Sequence, residues 1–240
     1  ETATGHWSDY AVGALAKAEA LDWIAGGADV FVCSAVPDGA GVSSSAALIT
    51  AILRAAAKHA SAWTSPVELA RHARRVENDY IGMPCGIMDQ MAVGLARHGE
   101  ALALDTVSLD AEIITIPQDW RFVTIHSGIR RKLSDGRYKQ RFEECEAARN
   151  ALNAEHLCLL NADQLAAIGE LPATLMKRVQ HVVSEHERVQ KAVACMRAGN
   201  AAEFGALMNE SHRSYAEDFQ ASAPEIDAML VDARACGAVG

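Results

Sequence analysis

The sequence predicts a protein of the α+β class, because strand-like segments concentrate in the first half and helical patterns fill the second. From Tyr138 onward, apolar residues recur at helical spacing, interrupted at turn-forming positions such as Gly199-Asn200 and 222–224. With 240 residues, of which 50% are hydrophobic, the chain is long enough for two modest domains. The helices predicted in this second half are 138–152, 161–168, 174–197, 200–216 and 224–236.

Helices and strands alternate in the first half of the chain. The predicted helices there are 7–24, 45–60, 65–80 and a short one within 86–96. The predicted strands are 29–35, 101–105, 112–116 and a buried one at 122–126, the second and third being paired through a turn at 108–110. A break at 117–120 predicts the boundary between two domains, 1–117 and 118–240.

Composition excludes several classes of protein. The net charge of −9 disfavours nucleic acid or an anionic membrane as the main partner. Because the chain has no long apolar run and no signal-peptide pattern, we expect a cytoplasmic protein, and we expect it to be a monomer. Its six cysteines follow no metal-binding spacing, which predicts reduced, mostly buried thiols. The alternative is one reactive cysteine, for which Cys85 is the candidate.

The segment 37–47, Pro-Asp-Gly-Ala-Gly-Val-Ser-Ser-Ser-Ala-Ala, separates an apolar run from an alanine-rich helix. Gly39 and Gly41 allow the backbone to approach an anion, and the start of the following helix favours negative charge. The segment is neither a Walker A motif nor a dinucleotide-binding fingerprint. An ordinary glycine turn with a serine N-cap is the alternative, but three serines (43–45) behind two glycines favour a phosphate-binding loop.

A second constellation lies at 77–90, where Glu77, Asp79 and Asp89 flank a glycine- and proline-containing turn. Mg²⁺ takes one or two carboxylates together with phosphate oxygens, and phosphoryl transfer needs a carboxylate beside the acceptor hydroxyl. Glu77 with a loop serine suits the metal, and Asp89 suits the hydroxyl. Asp79 is more simply a solvated helix residue. We expect Asp89 to be buried, since Met88 and Met91 lie beside it.

These two segments resemble the motifs of the GHMP kinases. The loop matches that family's pattern Pro-x-Gly-x-Gly-Leu-Ser/Gly-Ser-Ser-Ala, with Val42 in place of leucine. The segment 82–90, Gly-Met-Pro-Cys-Gly-Ile-Met-Asp-Gln, is similar to the galactokinase segment that carries the catalytic aspartate. Further similarities follow in order along the chain, at 7–10, 126–138, 209–212 and 223–227.

The resemblance implies the two-domain GHMP kinase fold, with an N-terminal domain like one of a ribosomal protein and a helix-rich, ferredoxin-like C-terminal domain. It implies ATP and Mg²⁺ as nucleotide and metal, and Asp89 as the catalytic carboxylate. Arg130 and Arg131 would usually form a solvated basic face, but at such a site they could also neutralise phosphate charge in the transition state. The nucleotide residues implied are Trp7 beside adenine and Pro37, Gly39, Gly41, Ser43, Ser44 and Ser45 around the phosphates. The sugar residues implied are Gly86, Asp89 and Tyr138. The Mg²⁺ ligands implied are Glu77 and one serine of 43–45, for which we name Ser44.

The expected reaction is transfer of the γ-phosphoryl of ATP to the anomeric hydroxyl of galactose. L-arabinose and galacturonate are alternative sugars, and a non-catalytic galactose and ATP sensor is an alternative of another class. The chain begins without methionine, and the family's first and third motifs are absent from it. We therefore expect the sequence to be the central part of a longer kinase.

Overall fold

The computed structural model describes residues 3–37, 39–128 and 137–240, which divide into two compact units, Glu1–Ile114 and Thr115–Gly240. No helix in this described part is long and apolar enough to span a bilayer. The division into the family's N-terminal and C-terminal domains at residue 117 stays a prediction.

Helices dominate the first unit. Its elements are α1 (Ser8–Glu19), α2 (Ser44–His59), α3 (Pro66–Arg75), a π-helical turn (Val76–Tyr80), α4 (Met88–Leu95), β1 (Glu100–Leu104) and β2 (Ala111–Thr115). α2 packs against α1, α3 and α4. The core between the helices is apolar and built from Ala14, Ala18, Ile49, Leu53, Leu69, Ala73 and Val76. Burying these side chains is the main stabilising contribution to the unit.

The helix predicted at 65–80 forms, but its last turn is π-helical. Ser65 begins the helix as predicted, since its hydroxyl accepts a hydrogen bond from the Glu68 N–H at 3.1 Å. At Val76–Tyr80 the backbone hydrogen bonds change from the α-helical to the π-helical pattern, so that Glu77 lies in a π-helical turn. Such turns occur often at functional sites because the extra residue redirects neighbouring side chains.

Gly13 of α1 allows this π-helical turn to pack closely against the helix. A Cβ atom at position 13 would lie 2.7 Å from Tyr80 Cδ1 and 2.8 Å from Val76 Cγ1. Both distances are shorter than any relaxed carbon–carbon contact. The absence of a side chain at Gly13 therefore sets how close α1 comes to the turn that carries Glu77.

Two of the four predicted strands form, and they pair as expected in the sheet β1–β2. The predictions of strands at 29–35 and 122–126 are wrong, because among the described residues neither segment has a strand to pair with. A strand needs a neighbour for its N–H and C=O groups. Phe31 is 94% exposed and Val123 is 78% exposed, so the second segment is not buried either.

The second unit is helical, as predicted. Its elements are α5 (Arg137–Ala151), α6 (Ala162–Ala167), α7 (Ala173–Ala198), α8 (Ala201–Glu217) and α9 (Pro224–Ala235), with short 3₁₀ turns at Leu157–Leu159 and Ile168–Glu170. α7 packs against both α5 and α8. The core of the second unit includes Ala148, Leu152, Leu157 and Val179.

Arg178 of α7 is the polar centre of the second unit, with only 1% of its surface exposed. Its Nε donates to Glu144 of α5 at 2.6 Å, and its guanidinium also donates to the Asp218 carbonyl and to Gln220 Oε1. Burial alone would raise the pKa of Glu144, but hydrogen bonds from Arg178 and Arg141 hold it below its ordinary value. One side chain thus joins α5, α7 and the end of α8.

The cysteines are less buried than predicted. Only Cys195 is buried, whereas Cys33 and Cys236 are exposed. Cys33 is exposed because it belongs to the segment 29–35, which forms no strand. The prediction of mostly buried thiols is therefore wrong.

We expect Gly13→Ala to lower the free energy of unfolding by about 1–3 kcal/mol, because the added methyl group overpacks the contact with Tyr80 and Val76. Helix propensity alone would give the opposite sign, a gain of about 0.5–1 kcal/mol. Urea unfolding measures the change. Gly27→Ala is the matched control, since a Cβ there meets nothing within 4 Å. A Gly13→Ala variant as stable as the control would contradict this packing.

We expect Arg178→Met to cost about 3–5 kcal/mol, because it leaves the partly buried Glu144 carboxylate and two oxygen acceptors with fewer donors. The double variant Arg178→Met/Glu144→Gln should recover part of the loss. Arg149→Met removes a more exposed ion pair with Glu146 and should cost much less. Equal losses for Arg178→Met and Arg149→Met in urea unfolding would show that Arg178 is not a centre of the unit.

Candidate active site

The loop before α2 takes left-handed backbone conformations at alternate positions. The φ angle is 67° at Gly39, 73° at Gly41 and 60° at Ser43. Glycine adopts such angles without strain, whereas at Ser43 the conformation is uncommon. Alternating left-handed residues bend a backbone so that its N–H groups converge, which is typical of anion-binding loops.

The serines do not cap the helix that follows. Ser43 occupies the N-cap position of α2 but makes no side-chain cap hydrogen bond. The alternative of a simple serine N-cap is therefore not what the structure contains. Among the described residues, no side chain accepts from the first-turn N–H groups of this 16-residue helix, and these groups stand at the positive end of its dipole. The loop and the helix start together fit a phosphate group.

Glu77 links this loop to the π-helical turn. The Glu77 residue is only 5% exposed, and its Oε1 accepts a hydrogen bond of 2.7 Å from the Ser45 hydroxyl. Ser45 lies in the first turn of α2, directly behind the loop. Among the three serines it is therefore Ser45, rather than Ser44, that the structure brings to Glu77. The role of Ser44 as a Mg²⁺ ligand stays a prediction.

The other oxygen of Glu77 is held from the side of α4. Gln90 Nε2 donates to Glu77 Oε2, and Cys85 Sγ lies 3.5 Å from the same oxygen. The Asn78 side chain fixes the turn by accepting from the Cys85 N–H at 2.9 Å, and Arg74 Nε donates to the Cys85 carbonyl at 3.1 Å. Both carboxylate oxygens therefore have protein donors.

Asp89 lies in the first turn of α4, beside Gln90, and is partly buried. Met91 is buried as expected, but Met88 is 62% exposed, because the first turn of α4 presents it to solvent. Asp89 is therefore less enclosed than the sequence suggested. The described part of the chain supplies no hydrogen-bond partner for its carboxylate, so both oxygens can accept a proton or a hydroxyl group. Gly86, in the turn before α4, is exposed.

The oxygen atoms at this site are of the kind that binds Mg²⁺. Glu77 and Ser45 offer hard oxygen atoms 2.7 Å apart, next to a backbone that favours phosphate oxygens. Mg²⁺ binds through one or two carboxylates and substrate phosphates rather than through a cage of protein ligands. Within the described residues no group of three or more His, Cys, Asp or Glu side chains could hold a metal. These residues therefore permit a Mg²⁺ site whose ligands come partly from the protein and partly from a bound phosphate group.

Cys85 does not have the environment of a reactive thiol. Burial and the neighbouring Glu77 carboxylate raise the pKa of the Cys85 thiol to about 11. Nucleophilic cysteines have a lowered pKa and positive surroundings. The interpretation of Cys85 as a reactive cysteine is therefore not supported.

The remaining site residues predicted from the sequence lie elsewhere. Trp7 precedes α1 and is 56% exposed, so its ring can accept a stacking partner. The segment before α1 is fixed by buried Asp9, which accepts from the N–H groups of Thr4 and Gly5, each at 2.7 Å. Tyr138 lies in the first turn of α5, in the second unit, and is 53% exposed. Arg130 lies outside the described residues.

Sequence reasoning missed Gln90 and Asn78. Both stand inside the quoted segment 77–90, but neither is charged, and attention to carboxylates passed over them. A glutamine between Asp89 and a buried apolar residue was the available signal, since a buried amide requires a partner. Asp9 was also missed, because a helix-start aspartate looks like an ordinary cap.

Three comparisons with known proteins show what this chain is similar to. Residues 9–97 match the family model described as GHMP kinases N terminal domain. A galactokinase of Roseiflexus sp. (strain RS-1) is 38% identical over 243 residues, which cover 95% of this chain and 60% of the relative. The crystal structure of Lactococcus lactis galactokinase complexed with galactose matches with a TM-score of 0.82 and 26% identity, covering 95% of this chain and 61% of that one.

The chain is similar to members of the GHMP kinase superfamily. Within that class it is similar to galactokinases along 95% of its length. The chain spans about 60% of the length of the relatives it matches.

We expect Cys85 to be among the least reactive thiols towards iodoacetamide at pH 8. With a pKa of about 11, only ~0.1% of Cys85 is thiolate at that pH, and the side chain is half-buried. Exposed Cys33 and Cys236 are the internal controls and should be modified first. Peptide mass spectrometry of time points measures the order. Modification of Cys85 ahead of both controls would contradict the described environment.

Proposed function

We propose that the protein containing this chain is an ATP-dependent sugar kinase that phosphorylates the anomeric hydroxyl of galactose to give galactose 1-phosphate. The observation that carries the proposal is the contact of Ser45 with Glu77, which joins a phosphate-compatible loop to a buried carboxylate. Asp89 follows on α4, whose neighbouring Gln90 reaches the same carboxylate. The residues proposed as nucleotide loop, metal ligand and general base thus lie on three connected elements.

Each element has a distinct task in the proposed reaction. The N–H groups of the loop at 39–43 and of the first turn of α2 bind the phosphates of ATP. Glu77 and Ser45 would hold Mg²⁺, which would neutralise charge on the transferred phosphoryl group. Asp89 accepts a hydrogen bond from the sugar hydroxyl and takes its proton as the phosphoryl group is transferred. Most of the rate acceleration comes from this positioning and from electrostatic stabilisation.

The choice of galactose rests on the similar proteins. One relative is named a galactokinase, and the structural match is a galactokinase complexed with galactose. The segment at 82–90 carries the same inference, since it resembles the galactokinase segment around the catalytic aspartate. The proposed sugar residues Gly86 and Tyr138 are both exposed to solvent, as residues that meet a soluble ligand must be.

The direct test is ADP release by the complete protein with Mg-ATP and separate sugars. We expect turnover with galactose and little with L-arabinose, galacturonate, N-acetylgalactosamine or mevalonate. Asp89→Asn should lower kcat by about 10²–10⁴-fold, because the general base is lost. Nucleotide binding, followed by calorimetry, should change less than about twofold, since only chemistry depends on this carboxylate.

Asp79→Asn is the matched control, because Asp79 is an exposed carboxylate in the π-helical turn. It should retain the kcat of the unmodified protein. Equal kcat values for Asp89→Asn and Asp79→Asn would show that Asp89 is not the general base. Binding of Mg-ATP and galactose without turnover would instead favour the sensor. Preferred turnover of arabinose or galacturonate would keep the reaction and change the substrate.

A further inference from the structure

We infer that Gln90 is a positioning residue that fixes the Glu77 carboxylate for its metal and ties that carboxylate to the helix of Asp89. The inference rests on the proposed function, since it takes Glu77 as a ligand of Mg²⁺. It assigns to Gln90, the residue after Asp89, a task that is carried out through Glu77.

The first argument is burial. Gln90 is 1% exposed and Glu77 is 5% exposed, so their contact lies in the protein interior. Amides and carboxylates are buried in proteins only when they have partners. Gln90 Nε2 donates to Glu77 Oε2, across thirteen residues of sequence. Each of the two side chains therefore gives the other a hydrogen-bond partner, which offsets the cost of its burial.

The second argument comes from the amide oxygen of Gln90. The carboxylate can only accept, so the amide must turn its nitrogen towards Glu77 and its oxygen away. That oxygen is buried, and among the described residues it has no hydrogen-bond partner. Methionine or leucine would fill the same space without leaving an unsatisfied oxygen. Packing alone does not explain a glutamine here, whereas the need for an N–H donor to Glu77 does.

The third argument is that the two oxygens of the Glu77 carboxylate have different partners. Gln90 and Cys85 hold Oε2, while Oε1 faces Ser45 at the start of α2. Rotation of the carboxylate would break both sets of contacts. Oε1 therefore stays directed towards the loop where phosphates are proposed to bind. Hydrogen bonds of this kind orient metal ligands and commonly change metal affinity when they are removed.

The fourth argument is the place of Gln90 in the chain. Asp89 and Gln90 are consecutive residues in the first turn of α4. A shift of this turn would move the proposed general base and release the proposed metal ligand together. The contact of Gln90 with Glu77 consequently fixes Asp89 relative to the proposed metal ligand.

The test is Gln90→Met in the complete protein, with Mn²⁺ as a spectroscopic probe for the Mg²⁺ site. Methionine keeps the length of the side chain and removes the N–H donor. We expect Mn²⁺ binding in the presence of ADP, measured by electron paramagnetic resonance, to weaken by about 10–100-fold. The Mg²⁺ concentration for half-maximal turnover should rise in parallel, while the KM for galactose stays within about twofold.

Met91→Leu is the matched control, since Met91 is the next residue of α4, is fully buried and packs with Ala70 and Ile87. It should leave Mn²⁺ binding unchanged, which separates loss of the donor from loosening of the helix. If Gln90→Met does not fold, Gln90→Asn replaces it, because asparagine keeps the amide but is one methylene too short. Unchanged Mn²⁺ affinity in the folded Gln90 variant would overturn the inference.

Glu77→Gln separates this inference from the proposed function. Weakened Mn²⁺ binding in Glu77→Gln and Gln90→Met supports the inference even if no sugar is phosphorylated. Weakened binding in Glu77→Gln alone overturns the inference and leaves the kinase proposal standing. If Glu77→Gln binds Mn²⁺ and ADP normally, Glu77 is not a ligand, and the inference falls whatever the turnover.

Discussion

The Glu77 carboxylate lies inside the first unit, where an ionised group is stable only when hydrogen-bond donors surround it. Two of its donors come from helix starts, Ser45 in the first turn of α2 and Gln90 in the first turn of α4. α2 and α4 must therefore approach the π-helical turn together. The phosphate-compatible loop ends at α2, and Asp89 lies on α4, so satisfying one buried charge also assembles the proposed active site.

The packing around this charge follows from small local features. Gly13 lets α1 come close to the π-helical turn, and the turn places Glu77 towards the interior. Arg74 and Asn78 hold the backbone of Cys85 from two sides, which fixes the link from the turn to α4. Because this thiol stays protonated, it fills space beside the carboxylate without adding a second negative charge. Rigid support of this kind is what positioning chemistry requires.

Local patterns in the sequence were sufficient for the helices and for the two motifs. Helical spacing and the Ser65 cap are local signals, and the helices of the second half form close to their predicted bounds. The strand predicted at 29–35 failed because pairing depends on a distant partner that no local pattern reveals. The contact of Ser45 with Glu77, and the role inferred for Gln90, depend on helix packing across 32 and 13 residues of sequence. Side-chain direction across such distances is set by tertiary structure, so the sequence left the choice among three serines open.

The central claim is that the loop at 39–45 and Glu77 form one nucleotide and metal site. A crystal structure of the complete protein with Mn²⁺ and a non-hydrolysable ATP analogue tests it most directly, because Mn²⁺ is located by its anomalous scattering. We expect one metal peak within bonding distance of Glu77, with the Ser45 hydroxyl beside it and phosphate oxygens against the N–H groups of the loop. Nucleotide phosphates bound elsewhere, or a metal peak remote from Glu77, would contradict the account.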